Sequence, residues 1–522
     1  MRRCMENSES PGCRLIINWD TANMWNPLLC YAQRKSKLDA DGVKHVLRQI
    51  VAEHAKAKVD RVVHCGFVLP WGTIPPGFQS FDRISASGVE SSLYRGLFDK
   101  DTETGMRQLE QAGYDFFQVL LEQSHKQGLE FLFGMRMNDL HGGSTSTPFY
   151  RAHPEWHATG PPSVLDYKHP GLRETVLAVA RESLERYEVD GIELDWMRWC
   201  HAFDPSEAER SAPILTDFTN KMRGLLDQAA RRRGCDRLLL GVRVPQTIEE
   251  CRILGFDLQA WVRELLVDYV CPSDFAVTDN NTETEEFVAV THGTQCKVYP
   301  SVHPQYADSS LRPTRRGEQP LCHTAESYRA AAKNFYAFGA HGVSAYNFQD
   351  PWVADPHEWP RAMSYLAGLR SPAAVAQGDR HYLCYPASPF LASTRQLRAA
   401  ANEQRIVLNR MSEERVDSLR FRMAEDLGDA CLSATLIFKV AGMAKDDQIE
   451  VSVNGSLIPA SRLERTYDSS QPPNLYRYRT PLSAPPARFG DNELRLRLTK
   501  SAGTEQLIAQ DVEVLVRDAG TP

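Results

Sequence analysis

From about residue 14 to residue 370, short apolar runs alternate with amphipathic helical stretches, and no other feature constrains the fold of this chain as strongly. Parallel strands need a crossover between them, so such an alternation reads as a parallel sheet built from βα units. Eight strands are expected, over 14–19, 61–68, 130–137, 189–195, 238–244, 267–271, 298–302 and 342–348, with helices over 42–57, 104–127, 172–187, 207–232, 257–265 and 325–338. Eight is the number that closes a (β/α)8 TIM barrel. Past residue 370 the helical period gives way to short alternating strands, with Asn454-Gly455 as the clearest hairpin signal in the chain. The expected organisation is an α/β chain: a disordered N-terminus over 1–13, a barrel over 14–372 that carries the chemistry, and an accessory β-sandwich over 379–522.

Composition narrows the class without naming it. With 522 residues, the chain exceeds what one core usually serves. Its 60 Lys+Arg against 67 Asp+Glu offer no basic block that could follow a phosphate backbone, so nucleic acid is not an expected partner. No stretch approaches the roughly 18 apolar residues of a membrane span, and the first thirteen residues lack the apolar run of an export signal. Twelve scattered cysteines without a CxxC pair suggest reduced thiols and a cytoplasmic protein. No cofactor is expected, since phosphate loops, GxGxxG turns and GxSxG elbows are absent and Pro154 within His153-Pro-Glu-Trp-His157 argues against a helical zinc motif.

Side chains alternate across a strand, so the inward set follows from period two. It contains Asn18 and Asp20 on the first strand, His64 on the second, Arg136 and Asn138 on the third and Glu193 and Asp195 on the fourth; Arg243 follows on the fifth and Tyr299, Ser301 and His303 on the seventh. The fourth strand is unambiguous, because Ile192, Leu194 and Trp196 occupy one face and Glu193 and Asp195 the other. Barrel chemistry sits at the C-terminal strand ends, which marks Asp195 as the candidate catalytic group. Glu193, one layer deeper, is expected to orient Arg136, Arg243 or a substrate hydroxyl, so that Glu193→Gln would harm stability as well and Asp195→Asn activity alone. A histidine in the place of His64 is more often a satisfied core residue than a catalytic one.

The order His153-Pro154-Glu155-Trp156, Leu165-Asp166, His169-Pro170, a helix ending Arg186-Tyr187 and the strand VDGIELDWMRW resembles glycosyl hydrolase-like barrel proteins, in particular the bacterial glycoside hydrolase family 10-like group. The resemblance covers roughly residues 130 to 200 and implies a sugar-cleaving barrel. Met197 stands where chitinase-like strands carry their acid, and no carboxylate ends the seventh strand, where family 10 enzymes keep their nucleophile. In alpha-galactosidase-like and alpha-glucosidase-like barrels the nucleophile ends strand four and the acid follows strand six; Asp195 and Asp274 hold those places.

Glycoside cleavage needs two carboxyls on opposite sides of the bond, so the second must come from another strand end: Asp274 first, then Asp139, Asp20 or Asp350. Asp20, His64, Trp71, Arg136, Asn138, Asp139, Arg198, His201, Arg243, Tyr299, His303 and Asn347 are the expected substrate contacts, with Arg198 and His201 suited to an anionic sugar or to anchoring their loop. Trp25, Trp156, Trp196, Trp199 and Trp352 are candidate stacking platforms. The expected function is hydrolysis of a poly- or oligosaccharide; a non-catalytic carbohydrate-binding barrel is the alternative, and a polysaccharide lyase a third.

Overall fold

The computed structural model describes residues 14–19, 39–73, 75, 77–81, 109–140, 144–159, 163–275, 277–304, 323–348, 359–385, 405–467 and 475–520. The chain divides into two compact units, one drawn from Met1–Phe275, Glu283–Ser301 and Gly339–Arg370, the other from Ala276–Thr282, Val302–Phe338 and Ser371–Pro522. The expected disorder of 1–13, and Asp20, Trp25, Asp350 and Trp352, lie outside the described residues.

The first unit is a curled parallel sheet with helices. Its strands are β1 (Leu15–Trp19), β2 (Arg61–Val68), β3 (Glu130–Arg136), β4 (Gly191–Asp195), β5 (Leu239–Val244), β6 (Tyr269–Pro272), β7 (Lys297–Val298), β8 (Ser301–Val302) and β9 (Val343–Tyr346). They lie in the order β7-β6-β5-β4-β3-β2-β1-β9-β8, with Gly72–Thr73 added antiparallel to β2. The strand expected over 298–302 is split in two at Tyr299-Pro300, and the ladder is open between β7 and β8. Proline has no N–H to donate, which ends regular pairing there.

Helices α1 (Ala40–Lys56), α3 (Pro170–Arg186) and α4 (Ala212–Arg233) match expected ones, α2 (Phe116–Lys126) is the second part of the stretch expected as one helix over 104–127, which breaks at Gly113 with φ of 78°, and Ile248–Ile253 and Thr284–Thr291 are short helices that periodicity did not indicate. Local chemistry explains the starts. The Asp39 carboxylate accepts from the Gly42 N–H at 2.8 Å to open α1, and Asp115 does the same for Phe117 at 2.9 Å to open α2.

Strand register is pinned at the N-terminal rim by a repeated device. Asp60, just before β2, accepts the N–H of Leu15 at 2.9 Å; Asp190, just before β4, that of Phe131 at 2.7 Å; Asp268, just before β6, that of Leu240 at 2.7 Å. In each case the aspartate ahead of one strand holds the preceding strand in place. Such bonds to a charged acceptor are among the stronger ones available to a backbone amide.

In the second unit, Arg380–Cys384, Leu507–Asp518, Leu432–Ala441, Tyr476–Leu482 and Glu464–Tyr467 form one antiparallel sheet in that order, with Ile406–Leu408 added to Leu507–Asp518. Val416–Met423, Gly490–Lys500, Gln448–Val453 and Ser456–Leu457 form a second. Alternate residues of both, including Phe421, Val451 and Leu496 from one and Leu436, Phe438 and Val514 from the other, make a single apolar cluster. Asn454 and Gly455 adopt φ of 49° and 78°, as a two-residue hairpin turn requires, and Val453 pairs with Ser456. The helix Ala325–Ala337 belongs to this unit; Ala330 joins its core, and Asn334 Nδ2 donates to the carbonyls of Asn280 and Arg422 at 3.0 Å each.

Candidate active site

The alternation on β4 is realised in space. Trp196, with no exposed surface, packs 5.1 Å from Tyr167, 5.4 Å from Phe256 and 6.3 Å from Phe218 of α4, so the Ile192, Leu194 and Trp196 face meets the helices. Glu193 and Asp195 occupy the other face.

Glu193 is fully buried. Its Oε2 accepts from the Tyr269 hydroxyl at 2.7 Å, and its Oε1 takes a short hydrogen bond from Asn18 Nδ2. Gly241 makes this possible: a Cβ there would lie 2.0 Å from the Tyr269 ring, so only glycine lets the tyrosine lie across β5. Burial raises the Glu193 carboxyl to about 7; the Tyr269 hydrogen bond opposes this, and the charge of Asp195 adds to it. The expected pairing of Glu193 with an arginine is not what the fold builds.

Arg243 instead serves Asp195. Its NH1 lies 2.9 and 3.1 Å from the two Asp195 oxygens, its Nε donates to Ser273 Oγ at 3.0 Å, and its NH2 donates to the Asp274 carbonyl at 2.9 Å and the Phe275 carbonyl at 3.3 Å. The Met197 N–H donates to Asp195 Oδ1 at 2.9 Å. One buried guanidinium thus joins the ends of β4, β5 and β6, and brings the Asp274 backbone beside Asp195. Arg136 pairs with Asp139 at 3.2 Å and donates through NH2 to the Tyr346 hydroxyl at 3.2 Å.

Tyr346 was not among the expected residues. Its ring lies 3.6 Å from the Arg243 guanidinium carbon and 5.9 Å from that of Arg198, so three arginines converge on it. Burial pushes its hydroxyl up to about 12. The signal that could have found it is register: Asn18 pairs with Tyr346, so the two share the inward face, and Asn347, chosen from this strand, does not. Asn347 has φ of 46° and donates its N–H to the Asn18 carbonyl at 2.7 Å.

Several expected substrate contacts lie elsewhere. His64 pairs in register with Trp19, and its ring is 6.0 and 5.6 Å from Phe116 and Phe117 of α2, so it faces the helices and Val63 takes the inward place. Tyr299 lies inside, but in an apolar cluster with Ile16, Val63, Leu132, Tyr269 and Cys271, which makes it filling. Asn138 spends both amide hydrogens on the carbonyls of Leu165 and His201, at 3.1 and 2.9 Å, and so braces the loop after β4. Trp71 is buried in the turn between β2 and Gly72–Thr73. His303 belongs to the second unit, where its N–H donates to Thr278 Oγ1 at 2.8 Å.

The mouth loops show the same mixture. Arg198 is buried with its guanidinium 4.9 Å from the Phe275 ring, and Trp199 packs 5.3 Å from Phe275. Trp156 stacks on His153 at 3.7 Å, nearly parallel, and His157 reaches the Tyr150 carbonyl at 2.8 Å. Both histidines of that motif are therefore engaged within their own loop. Among the described residues, no three His, Cys, Asp or Glu side chains are grouped to hold a metal ion, and no helix is long and apolar enough to cross a membrane.

No family model matches the chain, and no curated protein matches it. In shape it is similar to a cycloisomaltooligosaccharide glucanotransferase from Paenibacillus sp., at 10% identity and TM-score 0.35 over 97% of this chain and 58% of that one. It is also similar to alpha-L-fucosidase isoenzyme 2 from Paenibacillus thiaminolyticus, at 11% and 0.39 over 63% of this chain and 47% of that one. A third is the PgaB (BpsB) glycoside hydrolase domain from Bordetella bronchiseptica, at 11% and 0.41 over 67% of this chain and 99% of that one. The chain spans about half the length of the first two. These neighbours are carbohydrate-active proteins by name, and likeness at this level leaves function to be argued from the site.

Proposed function

We propose that this chain is a glycoside hydrolase acting on a poly- or oligosaccharide, with Asp195 as nucleophile or stabiliser of an oxocarbenium-like centre and Asp274 as its acid/base partner. The observation that carries the reading is the Arg243 hub, whose guanidinium holds the Asp195 carboxylate and the Asp274 carbonyl together at the C-terminal ends of β4 and β6. Carboxyls from two strand ends are what glycoside cleavage requires. Glu193, raised to about 7 by burial, supplies a carboxyl that changes charge in the working pH range beneath them. Arg136, Asp139, Arg198 and His201 line the substrate side. In the same reading the motif order over 153–200 supports membership of the family 10-like group.

We propose also that the sheet closes as a (β/α)8 barrel over 14–372, with a β-sandwich over 379–522 as its accessory domain. The His341 N–H donates to the Val298 carbonyl at 2.9 Å and the Ser344 N–H to the Pro300 carbonyl at 3.0 Å, which supports a ring completed through the 297–302 segment. Cys251, Cys271, Cys296, Cys384 and Cys431 are free thiols, which suits a cytoplasmic setting.

Assay against a panel of 4-nitrophenyl glycosides and reducing-sugar release from neutral and acidic polysaccharides test the hydrolase. Release by the wild-type chain that Asp195→Asn and Asp274→Asn each abolish is the expected result; release unaffected by either removes the assignment. One observation favours the non-catalytic carbohydrate-binding reading instead. Both Asp195 oxygens already accept hydrogen bonds, from Arg243 and Met197, which leaves the carboxylate less free to attack. Glycan binding without any turnover decides for it.

A further inference from the structure

The loop that follows β4 is buried although it has no regular structure: Arg198, Cys200, His201, Ala202, Phe203 and Asp204 are all under one-tenth exposed. Its backbone is thoroughly tied. Asn138 Nδ2 donates to the His201 carbonyl at 2.9 Å, the Tyr167 N–H donates to the Ala202 carbonyl at 2.8 Å, and the Ser206 N–H donates to Asp204 Oδ1 at 3.0 Å. Yet the His201 imidazole, on a residue 5% exposed, has a hydrogen-bond partner at neither ring nitrogen among the described residues. A loop anchored this firmly does not leave a polar ring unpaired for want of rigidity. Trp19 and Trp196 also bury an unpaired Nε1, but they face the helices and have one polar atom each; His201 has two, six residues beyond Asp195 and braced from the end of β3.

We infer that His201 hydrogen-bonds directly to hydroxyls of an uncharged sugar, one at each ring nitrogen, so that the site takes a neutral rather than an anionic residue at this position. The inference rests on the carbohydrate reading above and names its substrate class. Burial lowers the His201 ring to about 4, so it is neutral over the physiological range and presents one donor and one acceptor. A hydroxyl both gives and takes a hydrogen bond and can satisfy either function. A carboxylate only accepts; it would set its lone pairs against the acceptor nitrogen and would have to be stripped of water without a cation from His201 in return. This reverses the expectation that Arg198 and His201 together serve an anionic sugar.

The test uses the full chain labelled with 15N and follows its histidine ring nitrogens at pH 7, with the His201 signals identified by their loss in His201→Gln and His201→Phe. Methyl glycosides of neutral hexoses and of the matching hexuronic acids are titrated in. The expected result is that a neutral glycoside shifts the His201 ring signals, binds about 10- to 100-fold more weakly to His201→Phe, regains part of that loss in His201→Gln, and keeps the same affinity from pH 6 to 8. A neutral glycoside that binds with the His201 signals unmoved, or a hexuronide that binds more tightly than its neutral counterpart, overturns the inference and leaves the carbohydrate reading standing. Binding of neither class overturns both. Should His201→Phe fail to fold, the wild-type titration with the His201→Gln assignment decides.

Discussion

Glu193 in the sheet of the first unit and Glu425 in the second are both glutamates almost without exposed surface, and the fold treats them in opposite ways. Glu425 is surrounded by cations. The Arg380 Nε and NH2 reach its two oxygens at 2.9 Å each, Lys333 Nζ lies 2.6 Å away, and the Tyr382 hydroxyl donates at 2.6 Å. Burial by itself would raise its carboxyl, but the hydrogen bonds from Arg380, Lys333 and Tyr382 outweigh burial and hold it below the ordinary range. Glu193 receives only neutral donors, Asn18 and Tyr269, and burial lifts it to about 7. The same side chain at the same depth is a permanent anion in one place and a titrating group in the other. A buried carboxyl with cations on both oxygens is a structural brace; one left with neutral donors beside a second carboxylate is a group that titrates near neutral pH.

The comparison breaks first at Glu425. Glu425→Gln strands Arg380 and Lys333 in a buried setting, and a loss of about 3–5 kcal/mol in denaturant unfolding is expected. A loss under 1 kcal/mol would mean that the cluster is not a brace.

Asp195→Asn comes next. It leaves the fully buried Arg243 without its carboxylate, although Ser273 Oγ and the carbonyls of Asp274 and Phe275 remain, so a cost of about 3 kcal/mol accompanies the loss of turnover. This prediction departs from the expectation drawn from sequence, in which the substitution leaves stability nearly untouched. Equal melting temperatures for wild type and Asp195→Asn would show that the Arg243 pair contributes little.

Glu193→Gln sharpens the contrast through pH. The Glu193 carboxyl is raised in the fold, so the stability it confers is complete below the unfolded value of 4.5 and is lost as pH rises toward about 7. The window spans roughly two and a half pH units, or about 3 kcal/mol as an upper bound. Glu193→Gln should accordingly match wild type near pH 4.5 and exceed it by up to that amount at pH 8. For Glu425 the sign is opposite: its stabilisation is present above the unfolded value and lost as pH falls through the folded one. Parallel denaturation curves for wild type and Glu193→Gln across pH 4.5–8 would contradict the raised carboxyl.

The smallest effect is expected at His64, which packs between Trp19 and the phenylalanines of α2. His64→Leu is close in volume and should cost no more than about 1.5 kcal/mol, with glycan affinity unchanged. A tenfold drop in affinity would return His64 to the site.

The strands that could be read from sequence are those with local contrast. On β4 the apolar and acidic residues alternate strictly, so its two faces follow from period two. β2, Arg-Val-Val-His-Cys-Gly-Phe-Val, is buried on both faces and almost uniformly apolar, so nothing in it says which face His64 takes. The skip in its pairing between Cys65 and Phe67 adds a register change that no local pattern announces. The strand at 298–302 looked continuous by hydrophobicity, although Pro300 was there to warn that pairing would break. Past residue 370 the sequence indicates short alternating strands but not their partners, which the two antiparallel sheets of the second unit supply.

What the sequence determined by itself is what lies within a few residues: the βα alternation, the acidic face ending in Asp195, the aspartates that open helices, and the Asn454-Gly455 turn. Each depends on backbone geometry and side-chain period, which neighbouring residues express together. Only the tertiary structure decided which charge meets which. Arg243 takes Asp195 from 48 positions away, Arg136 turns to Asp139 and Tyr346, and Glu193 is left to Asn18 and Tyr269. Those choices depend on the registers Asp195↔Arg243 and Asn18↔Tyr346 and on the space that Gly241 opens for Tyr269. Register is a property of two strands at once, so no single segment of the chain encodes it.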